Sequence, residues 1–296
     1  MNQRRLWLIL LVVPPLLWAG NALVGRAVVG RIDPIELSFW RWLVALTALL
    51  PFTGRSLLIH RQVLCRHWLA VVVMGLCSVG AYNTLLYMAM HTTTAINATL
   101  MGASMPLMIL LLGRVWLGDV IRPAQALGIL VSACGMLAVV TRGDPGRLLG
   151  LALTPGDGLM LLATLAWAIY SVMLRRFALP VPAATQLAAF VIVGLAALTP
   201  LAWWGGAPTV AADGWMWGAI LYTGLLASLV AFYFWNRGVA AVGAATAGQY
   251  SYLIPLFTAL AAIPLLGETF QWYHALGGGL IFSGIFLATR RRAAAS

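Results

Sequence analysis

The sequence contains little charge: only 8% of its 296 residues are Asp, Glu, Lys or Arg, and 62% are hydrophobic. A soluble globular domain carries about 25% charged residues, so this chain has too few to cover a surface exposed to water. The mean hydropathy of +0.94 suits a chain surrounded by lipid. The sequence therefore predicts an all-α integral membrane protein, because a helix pairs its backbone groups internally within a bilayer.

Lysine is absent, and the 18 basic residues are all arginines that separate apolar runs instead of forming one basic face. This distribution argues against nucleic-acid binding despite the net charge of +11. Cysteine is also scarce, and Cys65, Cys77 and Cys134 are far apart in the sequence. We therefore predict no disulfide framework, no metal site and no cofactor.

Ten runs that are free or nearly free of charge follow one another, joined by short connections. At a rise of 1.5 Å per residue, each run can cross most or all of a hydrocarbon core about 30 Å thick. We expect the first run to be a retained helix and not a cleaved signal peptide. The ten predicted transmembrane helices are Leu6–Gly25, Ile35–Phe52, Trp68–Met90, Thr93–Gly113, Pro123–Thr141, Gly158–Leu174, Val181–Trp204, Gly214–Asn236, Gly243–Leu266 and Gln271–Thr289.

The placement of the arginines predicts the orientation of these helices, because cytoplasmic loops carry an excess of positive charge. With the N-terminus in the cytoplasm, 13 arginines lie at cytoplasmic helix ends and 4 on the opposite side, which leaves Arg41 inside helix 2. We therefore predict a multi-pass protein of the bacterial inner membrane with both termini in the cytoplasm, as an even number of helices requires.

The strongest specific signal is an internal repeat. A gapless shift of 149 residues superimposes residue types that rarely match by chance. The matched pairs are Trp18 and Trp167, Arg26 and Arg175, Pro51 and Pro200, Gly75 and Gly224, Pro106 and Pro255, Asp119 and Glu268, Gly128 and Gly277, and Gly135 and Gly284. Each copy holds five helices, so the second must enter the membrane from the opposite side. The sequence predicts two inverted five-helix repeats, residues 1–147 and 148–296, as in many secondary transporters.

Motifs in both copies are similar to those of a known family. They are Trp18-Ala-Gly-Asn21, Phe39-Trp-Arg41, the run from Ala95 through Pro106 to Leu117-Gly-Asp119, and, in the second copy, Ala244, Pro255 and Leu266-Gly-Glu268. Over essentially its whole length the sequence resembles the EamA family of the drug/metabolite transporter superfamily, which includes exporters of amino acids and other metabolites. The resemblance implies ten helices, alternating access and a central cavity lined by helices 1, 3, 4, 6, 8 and 9.

Polar and aromatic residues of those helices are the candidates for substrate binding. Their pairing across the repeat favours a cavity, although each alone could instead bond to a neighbouring helix or lie at the headgroup level. Such a cavity suits a small zwitterion with an apolar side chain. The candidates are Trp18, Asn21, Tyr82, Asn83, Tyr87, Asn97, Met101, Ser104, Trp167, Tyr170, Tyr233, Asn236, Thr246, Gln249 and Tyr250.

Arg41 is the one arginine well inside a predicted helix, where a charge costs roughly 3 kcal/mol or more at the bilayer centre. Two interpretations stay open. Arg41 could anchor a carboxylate or phosphate of the substrate, or it could be structural, snorkelling outward or pairing with Asp33, Glu36 or a loop carbonyl; we favour the structural role.

None of the seven acidic residues lies near the middle of a predicted helix. Proton-coupled export of cationic drugs usually needs an intramembrane carboxylate, so this mechanism is disfavoured. Uniport, exchange or coupling through a peripheral group fits the sequence better.

Two further features concern helix shape and packing. Pro106 and Pro255 are predicted to interrupt helices 4 and 9 at equivalent depths, as hinges or as fixed kinks. Small residues on helices 5 and 10 predict close helix packing, either within one chain or between two chains. A monomer and a homodimer therefore both stay open.

We predict a transporter, not an enzyme, that exports amino acids or similar small metabolites, or facilitates their passage, by alternating access. Multidrug efflux is the alternative within the same class. An intramembrane enzyme would need His, Asp, Glu or Cys clustered at one depth, and a scaffold would not require two inverted copies. The predicted partners are a small-molecule substrate and the lipid bilayer.

Overall fold

A computed structural model describes residues 3–93, 98, 101–150, 154–204, 208–210, 213–266 and 270–289. Within these ranges the chain is helical apart from turns and connections, and it contains no strand. The predicted all-α class is therefore confirmed.

The main helices, numbered in chain order, coincide with the apolar runs of the sequence, except that α4 begins twelve residues later than predicted and α2 and α8 end later. Their bounds are α1 Gln3–Ala27, α2 Pro34–Ile59, α3 Trp68–Ala89, α4 Met105–Leu117, α5 Pro123–Val140, α6 Pro155–Arg176, α7 Ala183–Trp203, α8 Gly214–Val242, α9 with the segments Ala244–Gly248, Gln249–Tyr252 and Leu253–Leu266, and α10 Trp272–Thr289. Seven of them, α1, α2, α3, α5, α6, α7 and α8, are long and apolar enough to cross a membrane, and α4 is a shorter apolar helix. Ten membrane crossings stay a prediction.

Helix α2 is longer than predicted, because it continues past Pro51 as far as Ile59. A proline inside a helix removes one backbone hydrogen bond. In apolar surroundings, however, no other conformation would pair the neighbouring backbone groups better, so the helix continues. The same holds for Pro200, which lies inside α7.

The backbone breaks just before each of the two prolines predicted to interrupt helices 4 and 9. Residues 103–104 form a turn, and Pro106 is the second residue of α4, where its missing N–H costs nothing. In α9 the 3₁₀ turn Gln249–Tyr252 precedes the segment that contains Pro255. Pro106 was predicted to lie in mid-helix, whereas it lies at the start of α4, and a hinge or a fixed kink at either break stays a prediction.

Helices α5 and α10 pack closely within the chain through the small residues noted in the sequence. A Cβ atom on Gly135 would lie 2.6 Å from the carbonyl oxygen of Gly277, and one on Gly277 would lie 2.6 Å from that of Gly135. About one turn earlier in α5, Ser132 Oγ donates a hydrogen bond to the Ile281 carbonyl of α10 over 3.2 Å. Only glycine allows the two backbones to approach so closely.

Contacts of the first copy recur in the second with the partners exchanged. A Cβ on Gly75 of α3 would lie 2.9 Å from the Phe190 carbonyl oxygen, and one on Gly224 of α8 would lie 2.7 Å from that of Arg41. Gly224 is the repeat mate of Gly75, and Phe190 is the repeat mate of Arg41, so the same contact occurs twice with the two copies exchanged. Helices α3 and α8 also share a π-helical segment, at Leu76–Ala81 and Tyr222–Val230.

Two ends of the helix bundle can be distinguished. At the end that carries the termini, called the terminal end here, Arg4 Nη2 donates to the Thr289 carbonyl over 3.4 Å. At the opposite end, called the far end, Arg31 pairs with Asp213 over 3.2 Å and joins the α1–α2 connection to the start of α8. Both termini of the described chain therefore lie on the same side.

Candidate functional site

A cavity of about 190 Å³ lies between the two copies. The first copy supplies residues of α1, α3, α5, the first residue of α4 and the segment before it, and the second supplies residues of α6 and α9. Most of the wall is apolar: four methionines line it together with three aromatic residues, Trp18, Tyr82 and Tyr252. The methionines are Met90, Met105, Met136 and Met160. Methionine is flexible and polarizable, so such a wall adapts to apolar groups of different shapes.

On the α9 side of the cavity the polar groups are three hydroxyls that already use their protons. Ser251 Oγ donates to the Gly248 carbonyl over 2.7 Å, Thr258 Oγ1 donates to that of Ile254 over 2.9 Å, and Tyr252 OH donates to that of Ala103 over 3.2 Å. Each hydroxyl oxygen can therefore still accept a hydrogen bond from a bound molecule. This wall offers acceptors, which suit an ammonium group.

On the α1 side the polar groups are donors. Arg26 is exposed at the far end of the cavity, where its Nη1 donates to the Met90 carbonyl over 3.0 Å. Asn21 lies one and a half helical turns deeper and is 2% exposed. The cavity therefore reaches the surface at the far end, and it presents donors on one wall and acceptors on the other.

At the opposite, terminal end, contacts connect the two copies. Asp119, which follows α4, forms an ion pair with Arg175 at the end of α6. Next to it, Arg176 donates to the Trp116 carbonyl. These contacts connect the end of α4 in the first copy to the end of α6 in the second.

Aromatic rings form the floor between the copies. Trp18 and its repeat mate Trp167 pack edge to face with their ring centroids 5.0 Å apart. Tyr82, which lines the cavity, packs on Trp167 at 4.8 Å. Trp18 Nε1 donates to the Ala227 carbonyl of α8 over 3.1 Å, which holds its ring in place.

Arg41 lies behind the α1 wall and is completely buried. Its guanidinium donates to Asn21 Oδ1 over 3.1 Å, to Asn83 Oδ1 over 2.8 Å, to Tyr87 OH, and to Ser228 Oγ over 2.7 Å. Every one of these partners is neutral. Among the described residues no carboxylate lies within ion-pair distance of Arg41.

The contacts suggested for Arg41 from the sequence need correction. The side chain does not snorkel to the surface, and the pairs suggested with Asp33 and Glu36 do not form. Asp33 instead caps α2 by accepting from the backbone N–H of Ile35. The helix places Glu36 on a different face from Arg41, and the other helices offer amides and hydroxyls where an acid had been expected.

The second copy repeats one hydrogen bond of this cluster with the residue types exchanged. Tyr87 OH donates to Asn21 Oδ1 over 2.6 Å, and Tyr170 OH donates to Asn236 Oδ1 over 2.5 Å. Asn21 is the repeat mate of Tyr170, and Tyr87 is the mate of Asn236. The mate of Arg41 is Phe190, which is also fully buried, so the second copy keeps the bond without the charge.

These two bonds should differ in their contribution to stability. Without the Tyr170 hydroxyl, Asn236 Oδ1 loses the bond it accepts, whereas Asn21 keeps its bond from Arg41 when the Tyr87 hydroxyl is removed. We expect Tyr170→Phe to cost about 2 kcal/mol and Tyr87→Phe about 1 kcal/mol. Thermal unfolding in detergent measures both losses.

The control for this comparison removes both polar groups of the Tyr170–Asn236 hydrogen bond. Because two apolar groups of similar shape leave no buried polar atom unpaired, Tyr170→Phe combined with Asn236→Leu should recover part of the stability lost in Tyr170→Phe. A larger loss in Tyr87→Phe than in Tyr170→Phe would contradict the redundancy of the Arg41 cluster.

The structure brings some of the sequence candidates to the cavity and places others elsewhere. Trp18, Asn21 and Tyr82 line it, as does Pro255. The Arg41 cluster contains Asn83 and Tyr87, the aromatic floor contains Trp167, and the second hydrogen-bonded pair is Tyr170 with Asn236. Met101 packs beside the cavity, and Ser104 Oγ donates to its carbonyl. Thr246, Gln249 and Tyr250 are buried in α9 but do not line the cavity.

Two candidates fall outside this arrangement altogether. Tyr233 is 41% exposed and lies beside Leu49 and Phe234 on the apolar outer surface, away from the cavity. Helix α8 thus contributes no residue to the described cavity wall, contrary to the expectation from the resemblance. Asn97 lies outside the described residues.

Sequence reasoning missed the methionines and part of the α9 stripe. Ser251, Pro255 and Thr258 are spaced so that they share one helix face, and this spacing could have revealed them. The methionines gave no such signal, because an apolar side chain in a membrane helix suits a lipid-facing position as well as a packed one. Met136 was also unexpected, since α5 was not predicted to line the cavity.

Comparisons with known proteins agree with the internal repeat. The model of the EamA-like transporter family matches the chain twice, at residues 5–141 and 154–290. The two matches begin 149 residues apart, which is the shift found within the sequence. A solved crystal structure with 24% sequence identity aligns over 97% of both chains with a TM-score of 0.78, which supports the fold.

Relatives cover nearly the whole chain. An uncharacterized transporter of Archaeoglobus fulgidus is 28% identical over 96% of this chain and 97% of its own. The aromatic amino acid exporter YddG of Ancylobacter novellus is 26% identical over 93% of each chain. The uncharacterized inner membrane transporter YedA of Escherichia coli is 27% identical over 93% of this chain and 87% of its own. With a family match in each half and apolar helices throughout, this chain belongs to the EamA-like transporter family.

Proposed function

We propose that this protein exports amino acids, or similar small metabolites, through the cavity between its two copies. The observation that carries this proposal is the distribution of hydrogen-bonding groups in that cavity. Asn21 on one wall can donate, the hydroxyl oxygens of Ser251 and Thr258 on the other can accept, and four methionines line the same cavity. An amino acid has an acceptor, its carboxylate, and a donor, its ammonium group, next to a side chain that an apolar wall can hold.

The size of the cavity agrees with a substrate of this class. An apolar cavity of about 150 Å³ binds benzene. A cavity of about 190 Å³ that is open at one end can therefore hold a ring or a branched chain with its polar head. The names of two relatives point the same way, since one is an aromatic amino acid exporter and another a probable terminal-alkyne amino-acid exporter.

Alternating access between inverted repeats is the mechanism that we propose. Contacts that recur with exchanged partners are expected for two copies related by a two-fold axis, and an odd number of helices in each copy makes such an axis lie in the membrane plane. The Asp119–Arg175 ion pair closes the terminal end while the far end reaches the surface. In the alternate state, the two copies would exchange conformations, so that the terminal end opens and the far end closes.

The orientation in the membrane follows from the arginine distribution and from the ends of the bundle. The terminal end carries both termini and most of the arginines, so we propose that it faces the cytoplasm. The described state would then be open to the outside of an inner membrane. Multidrug efflux receives no specific support, because no carboxylate lines the described part of the cavity to bind a cation.

Counterflow in liposomes tests this function. Purified protein is reconstituted into liposomes loaded with an unlabelled amino acid, and uptake of the same radiolabelled amino acid is followed with and without a pH gradient. We expect accumulation above protein-free liposomes for amino acids with large apolar side chains. Transport of cationic dyes together with no transport of any amino acid would refute the proposal and support multidrug efflux.

A further inference from the structure

The buried charge of Arg41 has no counter-charge in contact with it among the described residues. Arginine stays protonated in proteins, and its guanidinium donates to neutral oxygens of Asn21, Asn83, Tyr87 and Ser228. Neutral acceptors satisfy the hydrogen bonds of a guanidinium but do not cancel its charge. A completely buried cation in a membrane is costly, and buried charges are normally paired. The protein therefore retains a positive potential directly behind the α1 wall of the cavity.

Asn21 is the residue that connects this charge to the cavity. Its Oδ1 accepts from both Arg41 and Tyr87 OH, and arginine can only donate, so the orientation of the amide is determined chemically. The Nδ2 amino group is then the part of Asn21 left to donate to a bound molecule in the cavity. Polarised by the guanidinium behind it, this N–H₂ group is a stronger donor than an isolated amide.

The repeat supplies an internal comparison that isolates the charge. The mates of Arg41, Asn83 and Ser228 in the other copy are Phe190, Phe232 and Val79, all of them apolar and buried. The hydrogen bond between Tyr170 and Asn236 persists there without them. The fold therefore does not require a cation at this position, and the first copy alone carries it.

A buried acid of α6, Asp157, does not enter the lining of the described cavity. Asp157 is buried in the first turn of α6, one turn before Met160, and accepts from Thr93 Oγ1 and from the Thr154 N–H. It lines no part of the described cavity, and Arg26 adds a second positive charge at the mouth. The lining of the described cavity thus carries cationic and neutral groups only.

We propose that the cavity selects substrates that carry a carboxylate, and that Arg41 determines this selectivity through Asn21. The carboxylate accepts from Asn21 Nδ2 and brings the negative charge that Arg41 otherwise lacks. The apolar part of the substrate rests on Trp18, Tyr82 and the methionines. Arg41 does not touch the substrate and acts as a positioning residue. This inference rests on the proposed transport function and adds the chemical group that is recognised.

The test uses three ligands that share one apolar side chain: the amino acid, its carboxamide and its decarboxylated amine. Each competes with the labelled amino acid in counterflow by the reconstituted full-length protein. In the wild type we expect the carboxamide and the amine to inhibit at least roughly tenfold more weakly than the amino acid, since a hydrogen bond to a charged group is lost. Equal inhibition by all three ligands would overturn the inference while leaving the transport function intact.

Asn21→Asp is the decisive variant, because it keeps the shape of the side chain and supplies Arg41 with its missing counter-charge. We expect it to fold at least as well as the wild type and to reverse the order of the three ligands in direct binding, measured as ligand-induced thermal stabilisation. Unchanged preference for the carboxylate in Asn21→Asp would refute the role of Arg41.

The control is Asn236→Ala, which removes the asparagine that accepts the tyrosine hydroxyl in the copy without a buried arginine. It should lower stability but keep the preference for the carboxylate. Arg41→Gln is first checked for folding by size-exclusion chromatography. Unlike Asn236→Ala, the folded Arg41→Gln variant should lose the preference for the carboxylate. If the wild type transports none of the three ligands, the proposed function itself fails, and the stabilisation assay still reports whether a carboxylate binds.

Discussion

Replacing Gly102 with phenylalanine is expected to abolish transport while leaving the protein folded. Gly102 lines the cavity, and a Cβ built there would lie 3.4 Å from Met160 Cε, an ordinary contact distance. A ring the size of benzene fits a cavity of about 150 Å³, so a phenyl group would occupy most of the 190 Å³ available. The substrate would then have no place to bind, and transport should fall by at least about a hundredfold, which corresponds to about 2.7 kcal/mol of lost binding.

The matched control at the same position is Gly102→Ala. A methyl group fits without displacing Met160, so counterflow should stay within about a factor of three of the wild type. Size-exclusion chromatography and thermal unfolding of both variants establish that each remains folded. Wild-type transport by Gly102→Phe would mean that the substrate takes another route through the protein.

Replacing Gly284 with valine is expected to prevent assembly of the folded protein. A Cβ at this position would lie 2.4 Å from the Gly128 carbonyl oxygen and 2.2 Å from Ser132 Oγ, so α5 and α10 would have to separate. Overpacking a core typically costs about 1–3 kcal/mol, and it costs more where backbone must move. Because the glycine contacts recur along both helices, we expect a loss above about 3 kcal/mol and little monodisperse protein after detergent extraction.

Gly279→Val controls for the effect of valine in the same helix. Gly279 also lies in α10, but a Cβ built there meets nothing within 4 Å. This variant should be extracted and purified in wild-type amounts. Equal yields of Gly284→Val and Gly279→Val would show that close packing of α5 against α10 is not needed for folding.

The sequence predicted these packing sites because glycine in an apolar helix allows a neighbouring backbone to approach closely. Gly128, Gly135, Gly277 and Gly284 matched one another across the repeat, and the structure brings them together within the chain. A small residue repeated at equivalent positions in an apolar helix indicates a close neighbour. The sequence could not indicate whether that neighbour belongs to the same chain, since the spacing is the same in both cases.

The cavity was predicted less completely, because the sequence does not determine how each helix is rotated. In a soluble helix the polar face points to water and marks the opposite face as core. Here nearly every face is apolar, so Tyr82 and Tyr233 looked equally suitable, and only one of them reaches the cavity. The methionines of the wall were missed for the same reason.

Composition and the 149-residue shift were sufficient by themselves to determine the helical class, most of the helix positions and the two-copy architecture, since lipid leaves a chain few alternatives to helices. The tertiary structure alone decided the partners of Arg41. They come from α1, α3 and α8, up to 187 residues away in the sequence. A buried guanidinium takes whatever oxygens the surrounding helices present, and that choice depends on the packing of the whole bundle.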